Sequence, residues 1–138
     1  IDPVLLAETL PIPDERAFSA VSDAEVDRVI LTAAPWKAPD RYGVQMGFVH
    51  RAWPVISAWV REIFKSSVRL GTKPTPFKVN IATPIHKQAK KDKTSTKAWR
   101  PVENFEHILA KPLERLVADR LSYDAETLGF IDPSQYGG

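Results

Sequence analysis

The chain has 138 residues, 43% of them hydrophobic and 26% charged, with a formal net charge of +2. That is one domain's worth of sequence, long enough to bury a core, and neither disordered nor fibrous in composition. It contains no cysteine, which excludes a disulfide framework, a thiolate zinc site and a cysteine nucleophile and fits a reducing compartment; no apolar run approaches the ~20 residues of a membrane span.

The mean charge hides a strong segregation. Residues 1–30 carry a net −5, residues 31–60 +2, residues 61–100 +9 and residues 101–138 −4. A basic block of this kind beside ordered apolar sequence points to an anionic partner, nucleic acid or nucleotide first, unless it is merely a solvated face.

Residues 1–21 hold Pro3, Pro11 and Pro13 without a clean period and read as an extended leader. The start at Ile1 has neither Met nor a basic stretch, so no signal peptide is expected and the chain reads as either a trimmed piece or a fragment. Ser22 and Glu25 form a capping box, and Val26, Val29, Ile30 and Ala33 follow at helical spacing until Pro35. The stretch from Pro35 to Gly43, with two prolines and a glycine, reads as a loop.

A second helix is expected from about Met46 to Leu70, with a break or kink at Pro54, which lacks the amide the helical ladder needs. After it, Val55, Ile56, Trp59, Val60, Ile63, Phe64 and Val68 read as one core-facing apolar stripe, with Arg61, Lys65 and Arg69 opposite. Gly71 is placed to end the helix, and Pro74 and Pro76 follow it. Alternation of Phe77, Val79 and Ile81 then predicts a short strand, continued weakly to Lys87, with Pro84 restricting it to an edge or a bulge. Gln88 to Lys97 reads as a mobile polar loop carrying Lys90, Lys91, Lys93 and Lys97. Trp99 to Val102 pairs back as a second strand, making a hairpin with a basic tip. A last helix is expected from about Pro112 to Leu128, ended by Gly129.

Familiar catalytic constellations are absent. His50, His86 and His107 have no metal-ligand spacing, and there is no Walker loop, GxGxxG or GxSxG motif. The basic hairpin remains: ammonium and guanidinium groups neutralise phosphate, and Arg does so bidentately. Phe77, Trp99 and Phe105 flank it, either as base-stacking platforms or as hairpin core.

Six blocks in order carry a resemblance: Trp36-Lys37-Ala38-Pro39-Asp40, Leu70-Gly71-Thr72-Lys73-Pro74, Ala82-Thr83-Pro84-Ile85-His86-Lys87, Ser95-Thr96-Lys97-Ala98-Trp99-Arg100-Pro101-Val102, the run from Leu109 through Lys111-Pro112-Leu113-Glu114-Arg115 to Leu121, and Gln135-Tyr136-Gly137-Gly138. Together they resemble the N-terminal, fingers part of the reverse transcriptase of non-LTR (LINE-like) retrotransposons, fungal elements in particular. That family's patterns run roughly K-A-P-G-P-D-G, P-I-P-K, Y-R-P-I-S, K-x-L-E-K and Q-F-G-F, and the likeness covers about Ser22 to Gly138.

The resemblance implies an α+β fold, mostly helical with a short two-stranded antiparallel hairpin, over residues 22–138. It implies RNA-directed DNA synthesis for the parent enzyme, with an RNA template, a DNA primer, a deoxynucleoside triphosphate and Mg²⁺, inside the cell and plausibly in the nucleus. The basic residue of P-I-P-K and the Arg of R-P-I correspond to Lys87 and Arg100, expected at the incoming triphosphate; Lys90, Lys91, Lys93 and Lys97 are expected along nucleic acid. Arg100 has a plainer reading as a salt bridge to Glu103. This chain departs from the pattern at Asp40-Arg41-Tyr42-Gly43 and at Val102-Glu103-Asn104-Phe105, where Glu103 either weakens a phosphate site or points away. No Tyr/Phe-x-Asp-Asp motif occurs, so the chain is expected to lack the palm, its metal-binding carboxylates and, alone, catalysis. The alternative is an inactive nucleic-acid-binding module or a partner-binding relic.

Overall fold

The computed structural model describes residues 18–89, 91–105, 107–129 and 134. The expected leader lies outside these except for residues 18–21. Among the described residues the fold is α+β: α1 (Asp23–Leu31), α2 (Met46–Leu70), β1 (Asn80–His86), β2 (Trp99–Phe105) and α3 (Ala110–Thr127), with 3₁₀ turns at Thr75–Lys78 and Thr96–Ala98. None of its helices is long and apolar enough to cross a membrane.

Local chemistry starts α1 and ends α2. Ser22 Oγ accepts the Glu25 amide at 3.2 Å while Glu25 Oε2 accepts the Ser22 amide at 2.8 Å, closing the capping box. Gly71 ends α2 at φ 63°, a left-handed conformation that a Cβ would disfavour, and its amide bonds the Val68 carbonyl. The expected break at Pro54 does not occur: α2 runs continuously over 25 residues. Pro54 is exposed, so the missing amide lies where water replaces it rather than in the core.

The core is a three-helix junction. Val26, Val29 and Ile30 of α1 meet Met46, Val49, Trp53, Val60 and Phe64 of α2, and Leu113 and Leu116 of α3 close the third side. The single stripe expected on α2 is two stripes. Ile56, Val60, Phe64 and Val68 face the core, whereas Val55 and Trp59 are 78% and 72% exposed. At 100° per residue, positions 55 and 59 lie more than a quarter turn from 60 and 64, so they cannot share a face. Phe77 is another correction. Its apparent alternation with Val79 and Ile81 does not extend the strand; it sits in a 3₁₀ turn, 4% exposed, as a plug in the helical core.

Charge ties the helices together. α1 presents Asp23 to Lys65 and Asp27 to Arg61 on α2, the latter bidentate at 2.9 and 2.7 Å, and Arg28 to Asp119 on α3 at 3.0 Å. The tightest knot is Arg120. Its guanidinium donates to both Glu25 oxygens at 2.8 Å and to the Ser19 and Ala20 carbonyls at 2.5 and 3.1 Å, with its side chain only 13% exposed. One residue of α3 thereby holds the first turn of α1 and the chain entering it.

The Arg120 guanidinium, helped by the Ser22 amide and hydroxyl against the cost of burial, lowers the Glu25 carboxyl from 4.5 to about 2. A depressed folded-state pKa stabilises the fold fully above the unfolded value and loses that contribution as pH falls toward the folded one. Arg120→Ala is expected to cost about 2–4 kcal/mol, since it strands a half-buried carboxylate. Glu25→Gln should lower the denaturation midpoint at neutral pH and flatten its decline between pH 4.5 and about 2. Chemical denaturation across that range checks both.

Candidate nucleotide and nucleic-acid interface

The hairpin pairs Asn80 with Phe105 through His86 with Trp99 in one antiparallel register. Beyond it, the Lys87 amide bonds the Ala98 carbonyl at 2.8 Å, which extends the same register by one pair and sets its parity. Antiparallel pairs alternate between hydrogen-bonded and open. Lys87–Ala98, Ile85–Arg100 and Thr83–Val102 therefore fall in the bonded class, and Pro84–Pro101 falls in the open class. In an open pair both amides point away from the partner strand. Two prolines directly opposite each other thus remove no ladder bond, and they strip a donor from both outer edges. No bulge is needed.

The same alternation sorts the faces. Ile81, Thr83, Ile85 and Lys87 share one face with Asn104, Val102, Arg100 and Ala98; Asn80, Ala82, Pro84 and His86 share the other with Phe105, Glu103, Pro101 and Trp99. Lys87 and Arg100 are diagonal neighbours on one face, and Glu103 is on the opposite one. The Lys87 ammonium donates to the Lys97 carbonyl at 3.0 Å, while Arg100 is exposed and forms no ion pair among the described residues. Glu103 instead accepts from Asn80 Nδ2 at 3.5 Å.

The hairpin is an arm. Ile81 and Ile85 are 43% and 50% exposed, and no helix packs broadly over either face. An isolated two-stranded hairpin is marginal in water, so its root matters. There Phe77 lies 4.5 Å from the His107 ring, Phe105 packs on the core, and the Lys73 ammonium sits 4.9 Å over the Phe105 ring. Asp40 locks this root. Its Oδ1 accepts the Tyr42 and Val44 amides at 2.9 Å, and its Oδ2 accepts the Ile108 amide at 3.0 Å, across 68 residues of sequence. Burial lowers the His107 pKa, opposed by the Asp40 charge, and the neutral ring's Nδ1 accepts the Leu109 amide at 3.2 Å. Nothing in the local sequence around Asp40 marks it as this clamp.

The described residues of the connecting segment, expected as a mobile loop, hold local hydrogen bonds. Asp92 Oδ1 accepts the Thr94 amide and hydroxyl at 2.9 and 2.6 Å; the hydroxyl and then the amide hold that carboxyl below its usual range. The Trp99 indole donates to the Lys93 carbonyl at 3.0 Å, folding the loop back on the strand, and Trp99 meets His86 edge to face at 5.2 Å. Of the three aromatics flanking the arm, Phe77 is buried and Phe105 is engaged at the root, which leaves Trp99, 37% exposed, as the one with an open surface.

The structure neutralises only part of the basic block: Arg69 at the end of α2 and Lys78 in the 3₁₀ turn are exposed and form no ion pair among the described residues. Arg61, Lys65 and Lys73 are neutralised by Asp27, Asp23 and Glu114. On the arm, Lys91, Lys93, Lys97 and Arg100 are exposed and form no ion pair among the described residues; Lys90 lies outside the described residues. The early acids Glu8, Asp14 and Glu15 also lie outside them. Among the described residues no group of three or more His, Asp or Glu side chains comes together to hold a metal ion, so the Mg²⁺ implied by the resemblance finds no fitting site here. Compared with models of protein families the chain matches none, and a search of curated proteins gives no match.

Parity makes a sharp test of the arm. Thr83→Pro removes a ladder amide and should unzip the strands, whereas Pro101→Val should leave them paired. Protection of the Val102 amide from hydrogen exchange reports the difference. Equal protection in the two variants would contradict the register.

Proposed function

We propose that this chain is the fingers region of a non-LTR-type reverse transcriptase, with the hairpin arm contacting template or primer backbone and the incoming triphosphate. The observation that carries the reading is the run of exposed arm cations without acidic partners among the described residues, in a basic block where Arg61, Lys65 and Lys73 are neutralised. The six sequence blocks supply the family. On the face shared by Lys87 and Arg100, the guanidinium offers a fork that takes two phosphate oxygens, and the ammonium adds a point charge. Lys91, Lys93 and Lys97 lie along the connection, where a flexible polyanion would trade its counterions for them. Phosphoryl transfer itself needs carboxylates that clamp two metals, and the chain has no Tyr/Phe-x-Asp-Asp motif. Binding and positioning are therefore its contribution, and polymerisation belongs to the assembled enzyme. A nucleic-acid-binding module without chemistry is the second reading, supported by the same cations.

Fluorescence titrations with single-stranded RNA or DNA should show weak binding with little sequence preference. If about four cations contact phosphates, affinity should fall on the order of 100-fold between 50 and 200 mM salt. A flat salt response, or unchanged affinity in a Lys91→Ala, Lys93→Ala, Lys97→Ala triple variant, would defeat the interface.

Primer extension separates the two readings. The 138-residue chain should give no product on an RNA template. In a chain extended to include palm carboxylates, Arg100→Ala should raise the KM for nucleotide about tenfold or more, and Lys93→Ala much less. An extended chain that binds nucleic acid yet never polymerises would favour the binding module.

A further inference from the structure

Among the described residues, the outer stripe of α2 is used neither in the fold nor in the arm. Phe48, Ala52, Val55 and Trp59 recur at four- and three-residue steps along the side of α2 turned away from Val60 and Phe64. Phe48, Val55 and Trp59 are 57%, 78% and 72% exposed, and Ile63 adds a 38% exposed side chain at the edge of the row. Large apolar side chains gathered on one helix face mark an interaction surface, whereas scattered ones do not. Two charges flank the row on the same side, Arg51 toward its start and Glu62 toward its end. Both are exposed. Neither forms an ion pair among the described residues, and Glu62 only accepts the Ser66 hydroxyl at 3.0 Å.

We infer that this face binds a second copy of the chain, with the two α2 helices packed antiparallel about a two-fold axis at the level of Ile56 and Ser57. The charges choose both occupant and direction. Antiparallel packing places residues on the same flank of the two helices against each other. A two-fold centred between the charges brings Arg51 of each copy to Glu62 of the other, twice, as an isologous contact requires. The same register lays Trp59 across Val55 and Ala52 of the second copy, a large ring against small and medium side chains. Parallel packing would send the same flanks to opposite sides of the interface, so Arg51 and Glu62 would find no opposite charge in each other. Pairing through the hairpin is disfavoured by its proline-blunted edges, so the helix face is the open route to association. The inference rests on α2 alone and does not depend on the proposed function.

Sedimentation equilibrium of the full 138-residue chain tests it. A concentration-dependent dimer is expected, weakened tenfold or more by Trp59→Glu. Trp59 and Val55 are exposed in the monomer, so the helical circular dichroism of the variant should be unchanged. Arg51→Glu and Glu62→Arg should each weaken the dimer, and the combined swap should restore it. A monomer up to about 0.2 mM, a range that covers weak self-association, would overturn the inference. So would a dimer insensitive to Trp59→Glu, or a double swap no better than the singles. If Trp59 is shielded only in the palm-extended chain, with that chain monomeric, the occupant is the rest of the same polypeptide and self-association is refuted.

Discussion

The bidentate bond from Arg120 to Glu25 is the constraint on which the helical body depends. Glu25 lies in the first turn of α1, already committed to the capping box, and Arg120 lies 95 residues later on α3. A guanidinium this shielded needs acceptors for most of its donors. It finds two carboxylate oxygens and two carbonyls of the entering chain. The cap, the helix start and the α1–α3 packing thus share one carboxylate, and Val26 and Ile30 stay sealed beneath it.

A second clamp serves the arm. Asp40 closes its own loop through two amides and reaches the segment before α3 through a third. Because Ile108 and His107 stand between β2 and α3, this bond fixes where the hairpin leaves the body. Phe77 and Phe105 then pin the two strand roots, so the arm can expose both faces and still be aimed. Rigidity at the root and, among the described residues, unpaired charge along the arm suit the phosphate contact proposed for it, since a floppy cation costs entropy on binding.

Much of the architecture was legible in local pattern. The capping box, the terminating Gly71, the bounds of α2 and the existence of a hairpin follow from nearest-neighbour chemistry. The loop cations stand out because lysines crowd a segment with little apolar content, whereas Lys87 and Arg100 were marked only by the resemblance. Asp40 and Arg120 gave no signal. Each looks like an ordinary surface charge, and its role depends on amides or carboxylates far away in sequence. Pro54 and Phe77 misled for a related reason. A proline on a solvent-facing side is tolerated in a helix, and an apolar residue shortly before a strand can belong to the core instead.

The amino-acid order by itself determined which segments are helical, that Gly71 ends the longest of them, and that positive charge concentrates between residues 61 and 100. Only the tertiary structure decided which of those charges are neutralised and which of the two apolar stripes of α2 is core. Helical periodicity says that a residue shares a face with its neighbours three and four away; it does not say what covers that face. Packing with α1 and α3 consumed Ile56, Val60 and Phe64 together with Arg61 and Lys65. It left Val55, Trp59 and the arm cations open, because burial and ion pairing are set by distances through space that the local pattern does not encode.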